Sequence, residues 1–299
     1  MTDWQEISLS EFGFYGYFQK GTTNADKAMI VMSGSDGYKE LAMSHADIFI
    51  DEGYSVLVLG FHKWEGLSQD KSHIPVDYME NAVKWLLGRS DIGSIGIKGT
   101  SMGAQYALLC ASLIPEISLV IAASPFDHVL ECVDDRFRRT GRSTYTYQGE
   151  EIPYSPSVLL DESVPKLILK CAFDKHYGLK RMFRFYYDKN PLVEESRVKV
   201  ENMKADVLLI ASENDDCWPA EISARRVEAI LKKNNYPYRA KTVIYEKGSH
   251  AVGNMLDDEK MRKALKRIMP AEKKYPLECE QARIDSVRQI KDFLKEWSN

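Results

Sequence analysis

Gly99-Thr100-Ser101-Met102-Gly103 lies between an apolar run, residues 92–97, and a helix-like stretch, residues 104–113. Gly-x-Ser-x-Gly at a strand–turn–helix junction has a mechanical meaning. A strand that turns at once into a helix forces its middle residue to φ > 0. The chain then approaches itself so closely that side chains at 99 and 103 would clash. The Ser101 hydroxyl is left at the tip of the turn, over a helix N-terminus whose free N–H groups and dipole favour developing negative charge. Without that context the same five letters describe a tight turn with an inert serine.

The context extends along the chain. Residues 28–32 read as a buried strand, 39–52 as a helix closed by Gly53, and 55–59 as the next strand. Residues 76–87 carry a helical stripe at Val76, Met79, Val83 and Leu86, residues 92–98 lead into the elbow, and 119–123 form a further strand. The rhythm breaks between about 125 and 204, where aromatic and basic residues are dense. It resumes with a strand at 206–212, a helix at 220–232 and a strand at 241–245. A last helix, 281–297, places Ile284, Val287, Ile290, Leu294 and Trp297 on one face, and residues 7–19 read as an edge hairpin. Alternation of this kind predicts an α/β-hydrolase fold: a mostly parallel, doubly wound sheet with helices on both faces. The core strands resume after the break, so the expectation is one domain over residues 1–299. Its cap insertion, at about 125–204, would lie over the sheet edge where such folds bind ligands.

Composition narrows the function classes. The 299 residues are 44% apolar and 28% charged with a net charge of −4, which gives no electrostatic footprint for nucleic acid. No apolar run approaches the roughly 20 residues of a membrane span, and the N-terminus lacks the pattern of a secretory signal. Five scattered cysteines fit free thiols in the cytoplasm. The six histidines do not cluster and there is no Cys-x-x-Cys, so neither a metal nor another cofactor is expected. Oligomeric state is not legible.

A serine hydroxyl needs a base, and the base an orienting carboxylate, in the order Ser, acid, His along this fold. His250, in a loop after the last strand, is the candidate base. His128 and His176 fall in the insertion, and His45, His62 and His73 precede the elbow. Glu213, Asp215 and Asp216 compete for the acid position. The spacing small-x-x-Asp-x-x-apolar-Pro through Ser212, Trp218 and Pro219 favours Asp215, with Asp216 the runner-up. For the oxyanion, one N–H is expected from Met102. A second is expected from Ser35 or Asp36, in the glycine-containing loop at 33–37.

Other stretches carry a family resemblance. Tyr147-Gln148-Gly149-Glu150-Glu151-Ile152-Pro153-Tyr154, Val200-Glu201-Asn202-Met203 and Asp215-Asp216-Cys217-Trp218-Pro219 resemble the catalytic domain shared by acyl-CoA thioesterases and bile acid-CoA:amino acid N-acyltransferases. The resemblance runs from about residue 27 to 255 and implies triad roles for Ser101, Asp215 and His250. Those enzymes usually carry an N-terminal β-sandwich, whereas this chain starts almost at the hydrolase core. Lys98 stands where the family more often has a small or apolar residue. The amino-acid transferases tend to use a cysteine nucleophile, so Ser101 fits the hydrolases better.

The expected activity is therefore hydrolysis of a small acyl thioester or ester, with no nucleic-acid or membrane partner. The competing readings are a carboxylesterase or peptide hydrolase that never meets CoA, an acyl-CoA:amine N-acyltransferase, and a binding protein on a hydrolase scaffold. Two basic runs, Arg136, Arg138, Arg139 and Arg142, then Lys175, Lys180, Arg181 and Arg184, could hold nucleotide phosphates or simply be solvated. Phe173, Tyr177, Phe183, Phe185, Tyr186 and Tyr187 are expected to pack the cap or line an acyl pocket.

Overall fold

The computed structural model describes residues 4–134, 136–160, 163–256 and 259–297. Eight strands form the main sheet: β1 (Gln5–Ile7), β2 (Tyr15–Gln19), β3 (Asn24–Met32), β4 (Tyr54–Gly60), β5 (Ser94–Thr100), β6 (Ile117–Ala123), β7 (Asp206–Ser212) and β8 (Ala240–Tyr245). Their order is β1-β2-β4-β3-β5-β6-β7-β8, with the β1–β2 and β2–β4 pairs antiparallel and the remaining pairs parallel. The chain runs from β3 outward to β4, then crosses back over β3 to β5. The order thus reverses between β3 and β5, which opens a crevice at their C-terminal ends. Every residue of β4 and β5 is buried, as expected for strands covered on both faces.

The helices divide between the two faces. Helix α1 (Lys39–Asp51) packs on one face with the long C-terminal helix, while α2 (Asp77–Leu87) and α3 (Met102–Leu113) pack on the other. The positive φ of Gly53, 79°, ends the turn after α1 as expected. The predicted edge hairpin is a β1–β2 pair with a helical turn, Leu9–Phe12, between its strands.

The segment between β6 and β7 is of two kinds. Its first part forms small sheets: Glu131–Val133 pairs with Arg139–Ser143, and Tyr145–Tyr147 pairs with both Glu150–Glu151 and Ile74–Pro75. Gln148 and Gly149 both have positive φ, the signature of a type I′ turn. Two helices follow, α4 (Val164–Phe173) and α5 (Met182–Lys189). After β7 come α6 (Ala220–Lys233), α7 (Glu259–Ile268) and α8 (Pro276–Lys295). The stripe read along the last helix needs one correction, because Ile284 is 53% exposed whereas Val287, Ile290, Leu294 and Trp297 are buried. The buried face instead runs through Ala282 and Ser286. A lone isoleucine cannot outweigh the phase set by its neighbours.

Candidate active site

The elbow lies at the end of β5, and its backbone explains its sequence. Ser101 has φ 58° and ψ −124°, a conformation costly for a residue with a side chain, and its N–H donates to the Ala123 carbonyl at 2.9 Å. A Cβ on Gly99 would lie 2.0 Å from the Gly103 carbonyl oxygen, and one on Gly103 would lie 2.1 Å from that of Ser33. Neither glycine can be replaced without moving backbone. A Cβ on Gly34 would stand 3.1 Å from Ser101 Cβ, so the loop after β3 packs directly against Ser101.

Three carboxylates follow β7, and their surroundings separate them. Asp215 is fully buried and its Oδ2 bonds His250 Nδ1 at 2.6 Å. Its Oδ1 accepts the N–H groups of Cys217 and Trp218 at 2.8 and 3.2 Å. The side chain is thereby locked, and so is the imidazole it holds. Asp216 points elsewhere, pairing with Arg181 at 2.8 Å and accepting the Ala271 N–H at 2.9 Å; burial pushes its carboxyl above the ordinary range. Glu213 pairs with Arg225 near the surface at 2.8 Å. Ser124 Oγ donates to the His250 carbonyl at 2.8 Å, and the Trp218 ring meets the imidazole edge-on, 5.9 Å between centroids.

Ser101, His250, Met102, Ser35 and Asp36 all line one cavity of about 720 Å³. Its walls are mostly apolar: Leu130 from the region after β6, Leu167 from α4, Phe183 from α5, and Met261, Leu265 and Ile268 from α7. Helix α7 went unread in the sequence although Met261, Leu265 and Ile268 follow a helical period, because its other residues are almost all charged. Tyr145, two residues before the stretch at 147–154, is fully buried. Its hydroxyl donates to Gln105 Oε1 at 2.8 Å and to the Met102 carbonyl at 3.3 Å, which braces the first turn of α3.

The remaining histidines have other surroundings. His45 and His62 are buried, and burial first of all drives both toward the neutral ring, His62 to about 4. His128 contacts Asp127 at 3.2 Å, and His73 pairs with Glu151 near the surface. Much of the basic content of the cap is already neutralised. Arg138 pairs with Asp134, Arg139 with Glu131, Arg181 with Asp216, and Arg184 with Asp188 and Glu221. Arg181 and Arg184 fasten separate parts of the chain, whereas the Arg138–Asp134 pair is local to one loop. Of the aromatics expected to pack the cap or its pocket, Phe183, Tyr186 and Tyr187 line the cavity, Tyr177 and Phe185 pack against one another, and Phe173 is 81% exposed. A helix that covers a cavity with one face leaves the other in solvent.

Among the described residues, the one group of metal-ligand types is Asp215, Cys217 and His250, with atoms within 4.8 Å. Two of the three already share the 2.6 Å hydrogen bond, and burial pushes the Cys217 thiol well above its ordinary range. The donor set thus reads as an acid–base pair beside a protonated thiol. No helix among the described residues is long and apolar enough to cross a membrane.

Residues 74–254 match the family model described as BAAT / Acyl-CoA thioester hydrolase C terminal. The peroxisomal succinyl-coenzyme A thioesterase of Mus musculus is 25% identical over 184 residues, 59% of this chain and 38% of that protein. The acyl-coenzyme A amino acid N-acyltransferase 2 of Mus musculus is 22% identical over 191 residues, 63% of this chain and 41% of that protein. The chain thus spans about two fifths of the length of these curated relatives. Among solved structures, a putative dienelactone hydrolase from Klebsiella pneumoniae aligns over 99% of both chains with a TM-score of 0.57 at 13% identity, a likeness of fold.

Proposed function

Because the chain belongs to the BAAT / acyl-CoA thioester hydrolase C-terminal family, we propose that it is a serine hydrolase cleaving acyl thioesters, or esters, through an acyl-enzyme on Ser101. The observation that carries this reading is a strained Ser101 opening on the same cavity as His250, whose other ring nitrogen is held by a fully buried Asp215. We read the chain as one such domain, with the segment between β6 and β7 as its cap.

The chemistry follows from those groups. With Nδ1 bonded to Asp215, His250 keeps Nε2 for the proton of Ser101 as Oγ attacks the acyl carbon. The oxyanion is received by the Met102 N–H at the start of α3 and by a second N–H from Ser35 or Asp36. The imidazolium returns its proton to the leaving sulfur or oxygen as the bond to the acyl carbon breaks. His250 then deprotonates water, which attacks the acyl-enzyme and frees the acid and Ser101. Asp215 keeps the imidazole in the right tautomer and stabilises its cation.

The mainly apolar wall suits a hydrocarbon acyl chain better than a charged one. Serine in place of cysteine favours water over an amine as final acceptor. All five cysteines are free thiols, which suits a reducing compartment such as the cytoplasm.

The test is labelling by a fluorophosphonate with peptide mass spectrometry, alongside turnover of acyl-CoA thioesters, p-nitrophenyl esters and peptide amides. The expected adduct maps to Ser101 and the thioesters turn over. Ester turnover without thioester turnover leaves a carboxylesterase, and an adduct on another residue removes the mechanism.

A further inference from the structure

Lys98 is fully buried in β5, three positions before Ser101. Its neighbours across the sheet are Val31 on β3 and Ile121 on β6, both fully buried and apolar. Strand alternation puts Thr100 on the same face. The Lys98 amine donates to Thr100 Oγ1 at 3.0 Å and to Asn254 Oδ1, and Asn254 Nδ2 donates to Thr100 Oγ1 at 3.1 Å. The three side chains therefore close a triangle, with no carboxylate partner for the amine among the described residues. Burial drives the ammonium strongly toward the neutral amine.

That triangle joins segments the proposed mechanism needs. Thr100 adjoins Ser101, and Asn254 lies in the loop that carries His250. His45, buried on α1, lines the same cavity as Ser101. We infer that Lys98 is a positioning residue, whose amine fastens the His250 loop to the strand that presents Ser101. This rests on the reading of the chain as a serine hydrolase.

The energetics separate positioning from stability. A methionine at 98 together with a leucine at 254 would fill the same space without an amine or an amide to desolvate, so fold stability alone gives no reason for the lysine–asparagine pair. The loop also has other anchors. Ser124 Oγ holds the His250 carbonyl, and the Gly253 N–H donates to Ser286 Oγ at 2.9 Å. Losing the amine should therefore shift the imidazole slightly and leave the loop folded, and small misplacements of a reacting group are costly in rate.

The experiment compares the parent chain with Lys98→Met, Asn254→Leu and the double variant, reading Tm, kcat, KM and the rate of fluorophosphonate labelling of Ser101. Lys98→Met, which leaves the buried Asn254 Oδ1 without its donor, is expected to lower Tm by a few degrees while kcat and the labelling rate fall by roughly 10–100-fold, with KM within about twofold. Asn254→Leu should lose a similar factor in kcat. The double variant should regain Tm without regaining kcat. A folded Lys98→Met with kcat within about twofold of the parent overturns the inference. Should Lys98→Met not fold, an unchanged kcat in Asn254→Leu overturns it equally. A parent that turns over no acyl substrate and takes no label ends the hydrolase reading and this inference together, whereas an active parent with an indifferent Lys98→Met ends this inference alone.

Discussion

The rim proposed to be catalytic and the segment between β6 and β7, read as its cap, face the same cavity but are built by different rules. At the rim, backbone geometry dictates residue identity: Gly99 and Gly103 have no room for a Cβ, Ser101 is held at φ 58°, and Asp215 accepts two backbone N–H groups. In the cap, α4 and α5 are amphipathic pieces fastened by ion pairs such as Arg184 with Glu221, and many sequences would serve. Changes at the rim should therefore alter rate by powers of ten with little effect on folding. Changes in the cap should act through stability or through the shape of the acyl site.

The largest expected effect tests the rim. Ser101→Ala should lower kcat by on the order of 10⁵–10⁶ with Tm within a few degrees of the parent, measured by thioester turnover and thermal unfolding. Alanine keeps the Cβ, so the backbone strain at residue 101 is unchanged. A variant retaining a tenth of the parent rate would show that the elbow does no chemistry. Next, the two adjacent carboxylates should part company. Asp215→Asn should cost about 10⁴ in kcat because an amide stabilises neither the correct tautomer nor the imidazolium. Asp216→Asn, bonded to Arg181 and Ala271, should cost less than about tenfold. Equal losses would erase the distinction between an acid that serves His250 and one that fastens α5 to the region before α8.

The joint between rim and cap should answer in stability. Arg184 is 5% exposed, pairs with Asp188 and Glu221, and donates to the backbone carbonyl of Asp215 at 3.0 Å. Arg184→Met leaves two carboxylates without their cation and should cost about 3–5 kcal/mol, read as a fall in Tm on the order of 10 °C. A similar comparison holds for pH. His62, buried beside the loop at 33–37, is held near 4 by burial, against an ordinary value of 6.5. Between those values the unfolded chain binds the proton and the folded chain does not. Stability from this site is thus complete above pH 6.5 and is lost as pH falls toward 4, by about 3 kcal/mol in all. Denaturant midpoints across that range should show a slope that flattens in His62→Leu.

The rim was legible in the sequence for the same reason it is rigid. Where only glycine fits, or where an Asp must reach two N–H groups at i+2 and i+3, spacing is a direct image of geometry, so residues 99–103 and 212–219 could be read without coordinates. Strands β3 to β7 were legible because burial on both faces leaves apolar runs, whereas β8, at the sheet edge, is only partly buried. The cap gave no such image. Its small sheets pair segments far apart in sequence, Tyr145–Tyr147 with Ile74–Pro75, and no local period announces that. The arginines between β6 and β7 were open to either reading, solvated charges or phosphate ligands, because a sequence shows charges but not their partners. Lys98 showed only as a departure from the family pattern, since the Asn254 that meets it is far along the chain.

The smallest effect sharpens the comparison from the other side. Helix α4 turns Leu167 into the structure at 4% exposed, while Phe173 stands 81% exposed. A phenyl ring in water contributes little to the fold, so Phe173→Ser should change stability by no more than about 0.5 kcal/mol. Leu167→Ala opens the wall of the cavity and should cost about 2–3 kcal/mol, with the larger loss on substrates whose chains reach α4. If a series of acyl-chain lengths shows the Phe173 variant losing activity on long chains as steeply as the Leu167 variant, the outer surface of the cap takes part in binding. The division between a shaped inner wall and an indifferent outer one would then have to be redrawn around that exposed ring.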